Sequence, residues 1–140
     1  MAKSTGMAMT VFSVTDLIPT ARDIKNDITN FTFSTPRGVQ DITGLDKSAK
    51  ETLLLLADMS GTVNVVFNPT ATTSSHAVFS TVPASTNVGR AMVITFGSTP
   101  AATMSATCNF TDYPLTRSNA GELTAAVPFV LQNGTAPVWS

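Results

Sequence analysis

The sequence predicts a mainly β domain, an antiparallel β-sandwich or barrel-like fold with one or two short flanking α-helices. Three observations carry that prediction. Strand-length runs rich in Val, Ile, Thr and Phe recur along the chain between turn clusters of Gly, Pro, Asn and Ser. Two runs near the C-terminus alternate apolar and polar residues with the period of a half-buried strand. Helix signals are confined to two short stretches, and no strand opens into a glycine-rich phosphate loop, so a doubly wound α/β nucleotide fold is excluded.

Residues up to about 8 read as a flexible tail, and "MTVFSV", Met9 to Val14, as the first strand. Thr15 to Lys25 carries Pro19 and mixed charges and reads as a loop. "ITNFTFS", Ile28 to Ser34, is β-branched and aromatic, hence a strand, and Thr35, Pro36, Arg37 and Gly38 form a turn before "VQDIT", Val39 to Thr43. In "GLDKSAKETLLLLADMSG" the pair Ser48 and Glu51 fits a capping box and Gly61 fits a terminator, so a short helix is expected from about Ser48 to Ala57. Periodicity alone does not distinguish its leucine run from a buried strand.

"TVNVVFN", Thr62 to Asn68, alternates and is a strand; Pro69 to Ser75 is a polar linker. "SHAVFSTV" then reads as a second short helix that stops at Pro83, with Phe79 and Val82 on one apolar face. "AMVITFG", Ala91 to Gly97, is a strand and "STPAA" a turn. The strongest pattern follows: Met104, Ala106, Cys108 and Phe110 alternate with Ser105, Thr107, Asn109 and Thr111. After the turn "SNAG", Leu123, Ala125, Val127, Phe129 and Leu131 alternate in the same way, so the two arms form a long hairpin that supplies much of one core face. Pro114 and Pro128 lie inside those arms. Proline removes a ladder donor, so both are expected where the hairpin bends or leaves its sheet to reach a neighbour.

Composition limits the function classes. The 140 residues suit one domain, residues 1–140, with a C-terminal extension from about 133 to 140. Charged residues are only 12% of the chain, about half the ~25% usual in soluble domains. Ser, Thr and Asn take their place, and a surface so poor in charge tends to stick to itself. With 8 basic and 9 acidic residues the net charge is -1, which supplies no electrostatic footprint for nucleic acid. The N-terminus lacks the apolar core of a signal peptide and no run is long enough for a transmembrane helix, so a cytoplasmic, unanchored chain is expected.

The chemistry of an enzyme is missing from the pattern. His76 is the only histidine, so it reads as exposed or helix-capping, and no glycine-flanked serine suggests a nucleophile. Asp41, Asp46 and Asp58 do not match a calcium-loop spacing. The single Cys108 falls on the apolar side of its strand and reads as a buried hydrophobe. Arg37, Arg90 and Arg117 are scattered and read as solvated surface side chains. No cofactor, metal or catalytic residue is expected.

The segments "QDITGLDKSAKETLLLLADMSGTVNVVFNP", "SSHAVFSTV" and "TCNFTDYPLTRSNAGELTAAVPFVLQNGTAPVW" resemble the major tail tube proteins of long, non-contractile (siphovirus-type) bacteriophage tails. The likeness runs from about Val39 to the C-terminus. It implies a tail tube fold and a structural virion protein, assembled in the host bacterial cytoplasm, whose copies close into hexameric rings. Those rings would stack into a tube, with tape measure, terminator and initiator proteins as further partners and double-stranded DNA passing through without tight binding.

By the same resemblance, Arg37, Gln40, Asp41 and Asp46 are expected at contacts between rings. Pro114, Arg117 and Trp139 are candidates for contacts between subunits. Ser105, Thr107, Asn109 and Thr111 are candidates either for the lumen wall or for the outer surface; a wall of uncharged polar groups would avoid the counterion release that makes DNA bind tightly. The rival reading is a tail-associated carbohydrate- or host-binding β-sandwich. Such a module normally displays aromatic side chains for sugar stacking, and Tyr113 and Trp139 are the only Tyr and Trp.

Overall fold

The computed structural model describes residues 9–15, 21–70, 74–84, 89–97 and 101–140. The expected N-terminal tail, the Pro19 region, and parts of the Pro69–Ser75 linker and of the "STPAA" turn lie outside the described residues. The strands are β1 (Met9–Thr15), β2 (Ala21–Asp23), β3 (Ile28–Ser34), β4 (Arg37–Asp41), β5 (Thr52–Ala57) and β6 (Ser60–Val66). Helix α1 (Ser75–Phe79) follows, then β7 (Arg90–Phe96), β8 (Ala102–Phe110), β9 (Leu115–Arg117), β10 (Leu123–Leu131) and β11 (Val138–Trp139). Short 3₁₀ turns occupy Lys25–Asp27 and Val82–Ala84. The expected β-rich class with a short flanking helix is the observed one.

Every strand pair is antiparallel. The main sheet runs β2-β1-β7-β8-β10-β6-β3, with β9 added to β10 and β11 to β8; β4 and β5 form a separate two-stranded sheet. The main sheet curls on itself. Phe31 of β3, at one end of the strand order, packs edge-on against Phe12 of β1 near the other end, at 5.2 Å between ring centres. Trp139 lies over the same seam, beside Phe33 and Phe96.

The alternation read from the sequence is the alternation that packs. Met104, Cys108 and Phe110 of β8 and Ala125, Val127 and Phe129 of β10 point into the core, with Val63 and Val65 of β6 and Met92 and Ile94 of β7. Helix α1 caps this core through Val78 and Phe79, and Phe79 meets Phe110 at 5.4 Å. Val82 is buried with them, but from the 3₁₀ turn that follows: α1 ends at Phe79 rather than running to Pro83, so the two residues do not share one helix face.

The long hairpin is not a simple one. β10 pairs with β8 only through Phe129 to Leu131; its first residues, Leu123 to Ala125, pair instead with β9. The "SNAG" turn joins β9 to β10, closed by Gly121 N–H donating to Ser118 O, and Gly121 has the positive φ of 93° that its place in the turn requires. Pro128 sits at the fork between β8 and β9. Thr111 N–H donates to Pro128 O, and since N and O of one strand residue face the same side, the donor that Pro128 lacks would have pointed at this same fork. Pro114 lies in the connection where the chain leaves β8 for β9. The prolines thus mark where the arm departs its sheet.

Several expectations are corrected. The helix over Ser48 to Ala57 is absent: Thr52–Ala57 is β5, paired with β4 through Val39↔Leu54, Gln40↔Leu53 and Asp41↔Thr52. The supposed capping box fails because Glu51 N–H donates to Thr43 Oγ1, across the hairpin. Arg37 and Gly38 are strand residues rather than a turn, and β4 ends at Asp41, before Thr43. Gly61 does not end a helix; it lies inside β6, opposite Phe129 of β10 and Phe33 of β3. The loop from Thr15 to Lys25 contains β2, an edge strand paired with β1.

Candidate functional site

The β4–β5 hairpin stands apart from the core and carries Arg37, Gln40, Asp41 and Asp46, the residues expected at contacts between rings. Its frame is backbone pairing supplemented by side chains. At the base, Pro36 O accepts from Asp58 N–H, and the Arg37 guanidinium donates from Nε and Nη2 to Leu55 O at 2.9 and 2.6 Å. At the far end Thr43 is the organising residue: its N–H and Oγ1 both donate to Asp41 Oδ1, at 2.9 and 2.6 Å, while its Oγ1 accepts Glu51 N–H at 2.8 Å. These bonds hold the Asp41 carboxyl below its ordinary value, the Thr43 hydroxyl contributing most and the Thr43 N–H next.

Between these ends the hairpin is apolar on both faces. Leu53, Leu54, Leu55 and Leu56 are 51%, 57%, 43% and 90% exposed, and Val39 beside them is also exposed. Gln40 and Asp46 are exposed, Gln40 opposite Leu53 and Asp46 in the turn region beyond β4. Sequence reasoning placed the polar residues of this segment at an interface and missed the leucines. A run of four leucines was nevertheless a signal, because a strand in such a run has no polar face to give to water.

The other expected site residues are distributed. Ser105, Thr107 and Asn109 alternate on the side of β8 away from the core and are half-buried, Ser105 and Thr107 beside the C-terminal segment, while Thr111 follows the strand and is exposed. Arg117 is exposed on β9, and Pro114 is half-buried. Trp139 is half in and half out: its ring contacts Phe33 and Phe96 while 54% of its surface remains open. Beneath the C-terminal segment an apolar groove of ≈ 170 Å³ opens between it and the β7–β8 face, lined by Ala91, Val93, Thr107, Ala136 and Val138 among others.

Two readings of polar residues are overturned. Arg90 is not solvated: it is 4% exposed on the inward face of β7 and donates from Nη1 to Val78 O at 2.9 Å, which satisfies a carbonyl at the end of α1. His76 is neither exposed nor a cap. It is half-buried, its ring edge-on to Phe67 and its Nδ1 3.3 Å from Tyr113 Oη. The helix N-cap is Ser74, whose Oγ accepts Ala77 N–H. The opposite side of this cluster holds Asp27, which accepts from Asn68 Nδ2 and Ser75 N–H. Burial first, and the Asp27 charge second, push the Tyr113 hydroxyl above its ordinary value.

Cys108 is buried as expected, and burial pushes its thiol up to about 11. Among the described residues no group of three or more His, Cys, Asp or Glu side chains is placed to hold a metal ion, and no helix is long and apolar enough to cross a membrane. Asp41 and Asp58 belong to opposite ends of the hairpin, and Asp58 is engaged with Met59 N–H.

No protein-family model and no curated protein sequence matches the chain. Solved structures do. A chain in the virion of a native gene transfer agent particle is similar with a TM-score of 0.71 at 14% identity, over 99% of each chain. A chain in the tail of an empty gene transfer agent particle, determined with helical refinement and C6 symmetry, is similar with a TM-score of 0.68 at 14% identity, again over 99% of each chain. The shared property is the fold, over the whole length of the chain.

Proposed function

We propose that this chain is a structural subunit of a virion tail, whose copies close into hexameric rings and stack into a tube that conducts DNA into the host. The single observation that carries the reading is the exposed leucine hairpin, a surface that is costly in water and useful only when covered. The full-length likeness to a chain from a C6-symmetric tail supports the same assembly. In this reading the protein is not an enzyme, and its partners are itself, a tape measure protein, terminator and initiator proteins, and DNA in transit. It is made and assembled in the bacterial cytoplasm.

Gln40, Asp41 and Asp46 flank the leucines and belong to the contact between stacked rings. Arg37 serves first as an internal brace, so its part in that contact is to fix the hairpin. Arg117 and the open side of Trp139, with Pro114 setting the path of β9, contribute to contacts within a ring. The uncharged side of β8 that carries Ser105, Thr107 and Asn109, with Thr111 just beyond the strand, lines the lumen.

Negative-stain microscopy of the purified chain across a wide concentration range tests the proposal, with rings and tubes as the expected result. A strict monomer at every concentration, also in the presence of tail initiator components, would overturn it. Retention on a duplex-DNA column with a steep salt dependence would overturn the conduit role.

A further inference from the structure

We infer that Asn133 and Gly134 form a self-modification site, at which the folded chain converts its own asparagine amide into a carboxylate with water as the only co-reactant. The inference stands independently of the assembly proposed above.

The chemistry needs an asparagine side chain held against the peptide nitrogen that follows it, with neither bulk nor a hydrogen bond in the way. Asn133 is the one asparagine of the chain followed by glycine. Both residues are exposed, in the connection between β10 and β11. Asn133 Oδ1 accepts the Thr135 N–H at 3.2 Å, which folds the side chain over the Gly134 peptide and polarises its amide carbonyl. Among the described residues no hydrogen bond engages the Gly134 N–H itself, so that nitrogen is open to deprotonation by water. Gly134 has a φ of 73°, and a Cβ built there would meet nothing within 4 Å. Solvent thus reaches the reacting bond, and the absent side chain removes the steric barrier that another residue would set against ring closure.

The Gly134 nitrogen gives its proton to water and bonds to Asn133 Cγ, and the side-chain nitrogen leaves as ammonia. Water then opens the resulting five-membered imide at either carbonyl. One opening leaves aspartate at position 133; the other leaves isoaspartate, whose backbone runs through Cβ and is longer by one methylene. The fold accommodates both. Gln132 N–H donates to Thr107 O on one side of the site and Val138 pairs with Ser105 on the other, while residues 133–137 make no strand pairing. The added length falls in this slack span, and β11 keeps its place. Each product adds one negative charge to a chain of net charge -1, at the groove that Asn133 lines together with Thr107 and Val138.

Peptide mapping by mass spectrometry tests the inference on the purified full chain, aged at mildly alkaline pH and physiological temperature. Asn133 should pass from amide to acid faster than every other asparagine by an order of magnitude or more. Asn119 is the internal comparison, being exposed but followed by alanine. Enzymatic methylation of isoaspartate should label the same peptide. The rate in the folded chain should equal or exceed that in a free peptide spanning residues 130–136, because the fold leaves the Gly134 N–H unbonded. Gly134→Ala should slow the conversion by an order of magnitude or more. Asn133→Gln, which keeps the glycine of the turn but needs a larger ring, should slow the loss of amide equally. Conversion no faster than at Asn119, a folded-chain rate tenfold below that of the peptide, or a rate that both variants leave unchanged overturns the site. The aged chain should melt as the fresh one does, and a lowered melting temperature would overturn the slack-span account of its products.

Discussion

The Asp27 carboxylate accepts the backbone N–H of Ser75 at 2.8 Å, 48 positions along the chain, and so ties the turn before β3 to the first residue of α1. The other end of the same short helix is held by Arg90, through Val78 O. A helix of five residues has too few internal bonds to persist alone. These two buried ionic side chains, from elements far apart in sequence, hold it over the core.

Asp27→Ala should therefore destabilise the fold by about 2–3 kcal/mol, because Ser75 N–H and Asn68 Nδ2 lose a charged acceptor in a buried place. Asn at the same position should recover only part of this, since one of its two terminal atoms is a donor facing donors. Urea denaturation followed by circular dichroism measures both. Stability equal to that of the parent chain would show that α1 is held by Val78 and Phe79 alone.

Gly61 should tolerate no side chain. A Cβ there would stand 2.2 Å from Thr32 O and 2.7 Å from Phe129 Cζ. Gly61→Ala should cost about 1–3 kcal/mol through forced displacement of β3 and Phe129, and Phe129→Ala about 3–5 kcal/mol through loss of a fully packed ring. Thermal melts of the two variants check both values, and a parental melting temperature for either would contradict the packing of β6 between β3 and β10.

Alkaline pH should weaken the fold through Cys108. Its thiol titrates near 9.0 when exposed and near 11 when buried, so the folded state keeps a proton that the unfolded state releases. The stabilisation is complete below about pH 9 and is lost as pH rises to about 11, worth about 2–3 kcal/mol in full. Tyr113 shifts in the same direction and adds to the loss. Cys108→Ala should flatten this part of the profile of stability against pH; an unchanged slope would assign it to other groups.

Gln40→Lys combined with Asp46→Lys should leave the subunit as stable as the parent within about 0.5 kcal/mol, because both side chains are exposed on a hairpin outside the core. Tube elongation should be slowed or abolished by the added positive charge at the ring contact. Light scattering follows elongation and calorimetry follows folding. Normal elongation by a folded double variant would remove these residues from the inter-ring contact.

The sequence by itself determined the β class, the inward faces of β6, β8 and β10 and the burial of Cys108, because strand periodicity is a local property and each of these runs has one apolar side. It also marked Pro114 and Pro128 as places where pairing is interrupted. Only the tertiary structure decided the fate of Thr52–Ala57. A run apolar on every side has no period to separate helix from strand, and the pairing with Val39 to Asp41 settles it. The same holds for Arg90 and Asp27: their charges suggest solvent, but long-range packing brings each to a backbone group at one end of α1, Asp27 to Ser75 N–H and Arg90 to Val78 O, which also accepts the Thr81 hydroxyl, and these hydrogen bonds offset the cost of burying the charges. The leucines of the hairpin follow the converse rule. Local sequence makes them hydrophobic, and the closure of the main sheet without them leaves them on the outside.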